Sequence, residues 1–426
     1  MKQRKGINSI DKYLKRIDHN PILDFEGDKT VNYIIVVPSC GETLVDLLRL
    51  RKSLEEQTIT EDFELFLILN NDVKDEKFGV QNQLVIEDFE QLKSDRFKIH
   101  LINKINLPSS KKNGVGHARK IGMDEACARF ISKATDGIII CLDADCTVSP
   151  NYLQSIRNYF LAHLDMDATS IGFQHQLDGL SASNRLAIAS YELHLRYFIH
   201  AQKSIGLPFA LQTVGSSMAV RASAYAKEGG MPTLKAGEDF YFLHKFIVNN
   251  TCGNISEVLV YPSGRISDRV PFGTGRAVGE ILGNQKKEFT SYQWQSFVEI
   301  RIFLLEVHRC IIGNSTFDLN QMNKAIADFL TSHDFIKVLN SCKENSTSLN
   351  SFYKRFFQWF NAFRLMKLLH YLRDKTFPDE ELLAAVNSYL IYQQMPALDS
   401  IEKALNYFRK LDEEASARPA LFQESL

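Results

Sequence analysis

The run Gly137-Ile138-Ile139-Ile140-Cys141-Leu142 is uncharged, largely β-branched and short, and it stops in Asp143-Ala144-Asp145. It suits one buried strand and is too short for a membrane span or an ordinary helix. A strand apolar on both faces points to a parallel sheet covered by helices, hence to an α/β protein. In open α/β sheets, ligands lie beyond the carboxyl ends of the strands. Extended backbone turns alternate side chains the same way, which lets one or both of Asp143 and Asp145 face a divalent cation, directly or through water. Hard cations such as Mg²⁺ or Mn²⁺ take carboxylate oxygens and share their coordination shell with substrate phosphates. A metal-bound diphosphate is the expected ligand. The bland alternative is a pair of acids that solvates a turn.

The same alternation extends upstream. Val31–Pro38 reads as a strand stopped by its proline. Glu42–Glu56 reads as a helix with an apolar face from Leu44, Leu47, Leu48 and Leu50. Phe63–Leu69 and Phe97–Ile102 are further strands, and Gly114–Ala134 is a helix. Beyond the acidic pair, helices are expected at 150–160, 182–203 and 238–248, with strands at 169–174, 212–221 and 257–261. After about residue 290 apolar residues recur at helical spacing through 293–311, 319–331, 348–373, 379–393 and 398–414. The division predicted is an N-terminal arm (1–30), an α/β catalytic domain (31–285) and an all-helical C-terminal domain (286–426).

A chain of 426 residues, 45% hydrophobic and 24% charged, has the composition of a globular protein with more than one domain. A net charge of −1 carries no nucleic-acid signature. The seven cysteines form no CxxC pair, which suits reduced thiols in a cytosol. Residues 1–27 lack the apolar core of a secretory signal, and no uncharged apolar run approaches the ~20 residues of a membrane span. A cytoplasmic protein is expected, with a peripheral place at the inner membrane face left open. The aromatic stretch from Phe352 to Phe363, flanked by Lys354, Arg355, Arg364 and Lys367, is the segment that would touch a bilayer. Domain core is the reading preferred for so broadly apolar a helix.

Four local patterns resemble family 2 glycosyltransferases, in order. Val36-Val37-Pro38-Ser39-Cys40-Gly41-Glu42 is similar to their opening strand and loop. Gly114-Val115-Gly116-His117-Ala118-Arg119-Lys120-Ile121-Gly122 resembles their glycine-alanine-arginine helix start. Asp143-Ala144-Asp145 matches their Asp-x-Asp motif, and Gly237-Glu238-Asp239 their downstream Glu-Asp pair. The resemblance spans about 31–285. It implies a GT-A-like doubly wound mixed sheet, here followed by an all-α extension.

The resemblance and the residue chemistry together assign roles. Asp145 is the preferred metal ligand, with Asp143 on the metal or on ribose hydroxyls; the metal is Mn²⁺ or Mg²⁺. Asp239 is the general base for an acceptor hydroxyl, with Glu238 positioning it or the acceptor. Acids favoured at a helix N-terminus are the alternative for that pair. Pro38, Glu42 and Asn70 are donor-binding candidates; Asn70 stands where the family usually has an aspartate that touches the base, and an Asx turn is the alternative. Arg119 contacts the diphosphate or is a solvated helix arginine. Arg265, Arg269 and Arg276, interleaved with glycines, form a loop that grips pyrophosphate or an anionic acceptor, against a bland reading of surface ion pairs. Ser216 is the candidate for an acceptor sugar hydroxyl. The histidine that many GT-A enzymes add to the metal is missing from this loop.

The reading is a metal-dependent enzyme that moves one sugar from a UDP- or GDP-linked donor to a carbohydrate or lipid-linked hydroxyl acceptor, in surface polysaccharide synthesis. In-line attack with Asp239 as base implies inversion. The Gln-x-x-Arg-Trp motif of processive synthases is absent. A nucleotidyltransferase is the enzymatic rival, but Ser39-Cys40-Gly41-Glu42 lacks the basic residue such enzymes carry after the first strand. The other rival is a degenerate sugar-binding or scaffold protein.

Overall fold

The computed structural model describes residues 2–25, 31–110, 113–234, 237–264 and 289–414. Packing divides the chain into two units, residues 1–180 with 213–279, and residues 181–212 with 280–426.

The first unit is built on a mixed sheet. Its described strands are β1 (Tyr33–Ser39), β2 (Phe63–Asp72), β3 (Lys98–Leu107), β4 (Ile138–Cys141), β5 (Thr147–Val148), β6 (Ala168–Phe173), β7 (Met218–Arg221) and β8 (Cys252–Tyr261). They lie in the order β3-β2-β1-β4-β7-β6-β8-β5. The β3, β2, β1 and β4 strands are parallel neighbours, whereas β7 runs antiparallel to both β4 and β6. The mixed α/β class expected from the sequence is therefore present. The reversal at β7 matters for the site. Met218 pairs with Cys141, so the residues that lead into β7 arrive beside the carboxyl end of β4.

Pro38 does not stop β1, which runs on to Ser39 in register with β2. Pairing with β4 has already ended at Val36, so the missing Pro38 amide leaves no ladder partner unsatisfied on that side. The strand expected over 212–221 begins only at Met218, because residues 214–217 turn, with the Ser217 amide donating to the Val214 carbonyl at 2.9 Å.

Helix α1 (Lys2–Arg16) opens the unit; α2 (Leu44–Glu55) and α3 (Glu76–Glu87) follow β1 and β2. The α4 helix (Val115–Ser132) positions the site and is buried on nearly every side. Gly122 lets it lie against the sheet: a Cβ there would come within 2.5 Å of Val36 and 2.6 Å of Ile68. Arg129, wholly buried, forks onto Glu64 of β2 at 2.7–3.2 Å. On the far face, Asp124 accepts from the Tyr13 and Tyr225 hydroxyls at 2.7 Å, and Glu125 accepts the Ile22 and Leu23 amides. The N-terminal arm is thus strapped onto α4 and belongs to the first unit.

The second unit is helical. Here α6 (Ala182–Ser204), which follows α5 (Tyr152–Ala162), packs with Ile401–Glu414. Buried Glu192 accepts from Arg196 and Arg409, while Asp412 accepts from Arg196 and sits 2.7 Å from His200 Nε2. These ties group residues 181–212 with the C-terminal helices, whereas the sequence division placed them within 31–285. The expected helix over 348–373 is two helices, Leu349–Trp359 and Ala362–Lys375. Asn361 breaks it and caps the second, accepting the Arg364 amide at 3.1 Å. Phe352, Phe356, Phe357, Phe360, Leu365 and Leu369 are buried, so this stretch is domain core. Among the described residues no helix is long and apolar enough to cross a membrane. All seven cysteines are free thiols.

Candidate active site

Residues far apart in sequence meet at the carboxyl end of β4. Asp143 leaves the strand with its side chain 38% exposed. Its Oδ1 accepts from Arg119 Nη2 at 2.5 Å. Arg119, in the second turn of α4, is 3% exposed, and its Nη1 donates to Glu238 Oε1. Glu238 opens α8 (Glu238–Ile247) and is 1% exposed. One planar guanidinium therefore ties the acidic turn after β4 to the Glu238-Asp239 pair, as its fork geometry allows.

Glycines permit this close assembly. A Cβ on Gly215 would fall 2.4 Å from Arg119 Nη1, and one on Gly116 would fall 2.7 Å from the Pro232 and Leu234 carbonyls. Gly237 caps α8 with φ of 75°, a left-handed conformation that glycine adopts without strain. The glycine-alanine-arginine helix start thus has a physical reading. Gly116 admits the loop before α8, Arg119 bridges the acids, and Gly122 seats the helix on the sheet.

Electrostatics follow from burial. Removal from water opposes the Arg119 charge, but Asp143, Glu238 and Asp239 around it raise its pKa above the ordinary arginine value. Burial raises Glu238 above the usual carboxylate range; Arg119 pulls it back, and Asp239 pushes it further up. Burial raises Asp239 as well, opposed by Arg119 and by the Phe240 and Gly215 amides. The Phe240 amide donates to Asp239 Oδ1 at 2.8 Å. A carboxylate raised toward neutrality, at a helix start beside a strand-end acid pair, has the character of a general base.

Of the other expected residues, Asp145 lies partly exposed, two residues beyond Asp143, with the Cys146 thiol 3.9 Å from its Oδ1. Ser216, in the loop before β7, is buried, and its hydroxyl meets the Cys146 thiol. The structure redirects three assignments. Arg119 is neither solvated nor open to a diphosphate, because both its terminal nitrogens hold carboxylates. Glu42 folds its own loop, its Oε2 accepting the Ser39 hydroxyl at 3.1 Å and the Cys40 amide at 2.6 Å. Pro38 is a buried strand residue. The Asn70 side chain, 7% exposed, makes no hydrogen bond with another described residue, while Asn71 is held by Asn106 and Asn82. Arg265, Arg269 and Arg276 lie outside the described residues.

Among the described residues, no group of three or more His, Cys, Asp and Glu side chains is arranged to hold a metal. Two carboxylates suffice for a hard cation that completes its shell with phosphate and water. Arg119 engages Asp143 through Oδ1.

Residues 34–173 match the model of Glycosyl transferase family 2, a stretch from β1 through β6 that includes Asp143-Ala144-Asp145. That segment is similar to a family 2 glycosyltransferase domain, and three of the four motifs lie within it. No curated protein matches the chain. Similar solved structures include S. aureus TarS 1–349, at 14% identity over 90% of each chain with a TM-score of 0.36. Its complex with UDP-GlcNAc has 15% identity over 90% of this chain and 91% of that one, again with a TM-score of 0.36.

Proposed function

We propose that this protein transfers a single sugar from a nucleotide-diphosphate donor, UDP- or GDP-linked, to a hydroxyl of a carbohydrate or lipid-linked acceptor. The observation that carries this reading is the Arg119 bridge, which joins Asp143 of the acidic turn to Glu238 beside Asp239. In this reading the bridge links a leaving-group end to a proton-accepting end. Asp239 takes the acceptor proton as the acceptor oxygen attacks the anomeric carbon. The bond from that carbon to the diphosphate breaks, and the diphosphate leaves with the electron pair. A single in-line displacement inverts the configuration. Glu238 and Arg119 hold the base in place and touch no substrate. Asp145 and Asp143 would hold Mn²⁺ or Mg²⁺, whose positive charge offsets the charge of the departing diphosphate.

Thermal unfolding with UDP and GDP, each with and without Mn²⁺, tests the donor side. One diphosphate should raise the Tm only with the metal, and Asp145→Ala should remove that dependence. Indifference of the wild type to both nucleotides would sink the reading.

A further inference from the structure

One buried carboxamide joins the loops that end β1 and β2. Asn82 of α3 is wholly enclosed. Its Oδ1 accepts the Gly41 amide at 2.9 Å, and its Nδ2 donates to the Asn70 carbonyl at 3.3 Å and to Asn71 Oδ1 at 3.1 Å. Asn71 carries the chain of amides on to the end of β3, accepting the Asn106 amide at 3.3 Å and donating to Asn106 Oδ1 at 3.1 Å. Packing is equally close. Gly41 has φ of 73°, and a Cβ there would lie 2.6 Å from the Phe78 ring; one on Gly79 would lie 2.9 Å from Asn106 Oδ1.

The Asn82 side-chain bonds go to the loop after β1 and to the carboxyl end of β2, where an open α/β sheet takes its ligand. Asn70 itself, near the end of β2, is 7% exposed, and its carboxamide makes no hydrogen bond with another described residue. Its amide atoms are not cut off from solvent, so they stay open to water or to a ligand. We propose that Asn82 is a positioning residue for the donor: it fixes the spacing of Ser39–Glu42 and Asn70 so that the Asn70 carboxamide meets the nucleobase edge. The inference rests on the nucleotide-donor reading and adds to it that nucleoside affinity is set from α3, outside the acidic cluster.

Calorimetric titration with UDP, with GDP and with inorganic pyrophosphate, all with Mn²⁺, separates the nucleoside half of the ligand from the diphosphate half. Asn82→Ala should weaken the preferred nucleotide roughly tenfold to a hundredfold, the scale of one buried polar group left unsatisfied. Pyrophosphate binding should be unchanged. Asn82→Asp keeps an acceptor for Gly41 but sets an anion against Asn71 Oδ1, and should show the same selective loss if the alanine variant folds poorly. Equal losses for nucleotide and pyrophosphate, or no loss for either, overturn the assignment. A wild type that binds pyrophosphate but neither nucleotide overturns the donor reading and this inference with it.

Discussion

Replacing Arg119 with methionine keeps much of its volume and removes the charge shared by Asp143 and Glu238. Glu238 is 1% exposed, so its carboxylate would be left buried without a counter-charge. Breaking a buried pair from one side costs roughly 3–5 kcal/mol. Protonation limits that cost in a pH-dependent way. Burial already raises Glu238, and Arg119 is the first of the opposing influences; without it, the folded-state pKa climbs further above its ordinary value of 4.5. Above that value the folded variant then holds a proton that the unfolded chain has lost. Its stability falls as pH rises, but so does that of the wild type up to about 7, the value to which Glu238 is already raised. The deficit should therefore be small and level below about pH 7 and grow above it. For a unit of this size, roughly 2–4 °C of Tm per kcal/mol gives a fall of roughly 6–20 °C at the upper pH. Thermal unfolding followed across that range reads it directly. Arg119→Lys should recover only part of the loss, because an ammonium cannot fork between the two carboxylates. A deficit flat with pH, or full recovery by lysine, would refute the argument.

Two further perturbations bear on the same frame. Gly215→Ala places a methyl 2.4 Å from Arg119 Nη1, and should lower transfer while leaving the second unit as stable as before, measured by turnover and unfolding together. The acid limb of kcat/KM against pH should lie above 3.8, the ordinary aspartate value, because burial raises Asp239 and the base must be ionised to act. A limb at or below that value would remove Asp239 from the role.

The sheet was legible where apolar β-branched runs announce it, as in Tyr33–Ser39 and Ile138–Cys141, buried throughout. The α3 helix was not, because its buried face is Gly79, Asn82 and Val85 while Val80 and Leu84 face solvent. That pattern inverts the apolar stripe from which a helix is read. Nothing in Met218–Arg221 declares its antiparallel direction, which a pairing partner decides. The site was legible as four motifs but not as one cluster. Arg119 looks like a surface residue in sequence, and its partner Glu238 is 119 positions away. The signal lay in its neighbours: Gly116, Ala118 and Gly122 leave that helix face too small to be anything but buried.

In the proposed reaction the acidic turn holds the donor and Asp239 takes the proton. Asp239→Asn tests it most directly, with donor binding and sugar transfer measured on the same preparation. Donor affinity should stay close to wild type while transfer falls about 10²–10⁴-fold, the usual worth of a general base. Transfer near the wild-type rate, or loss of donor binding in step with transfer, would contradict that division.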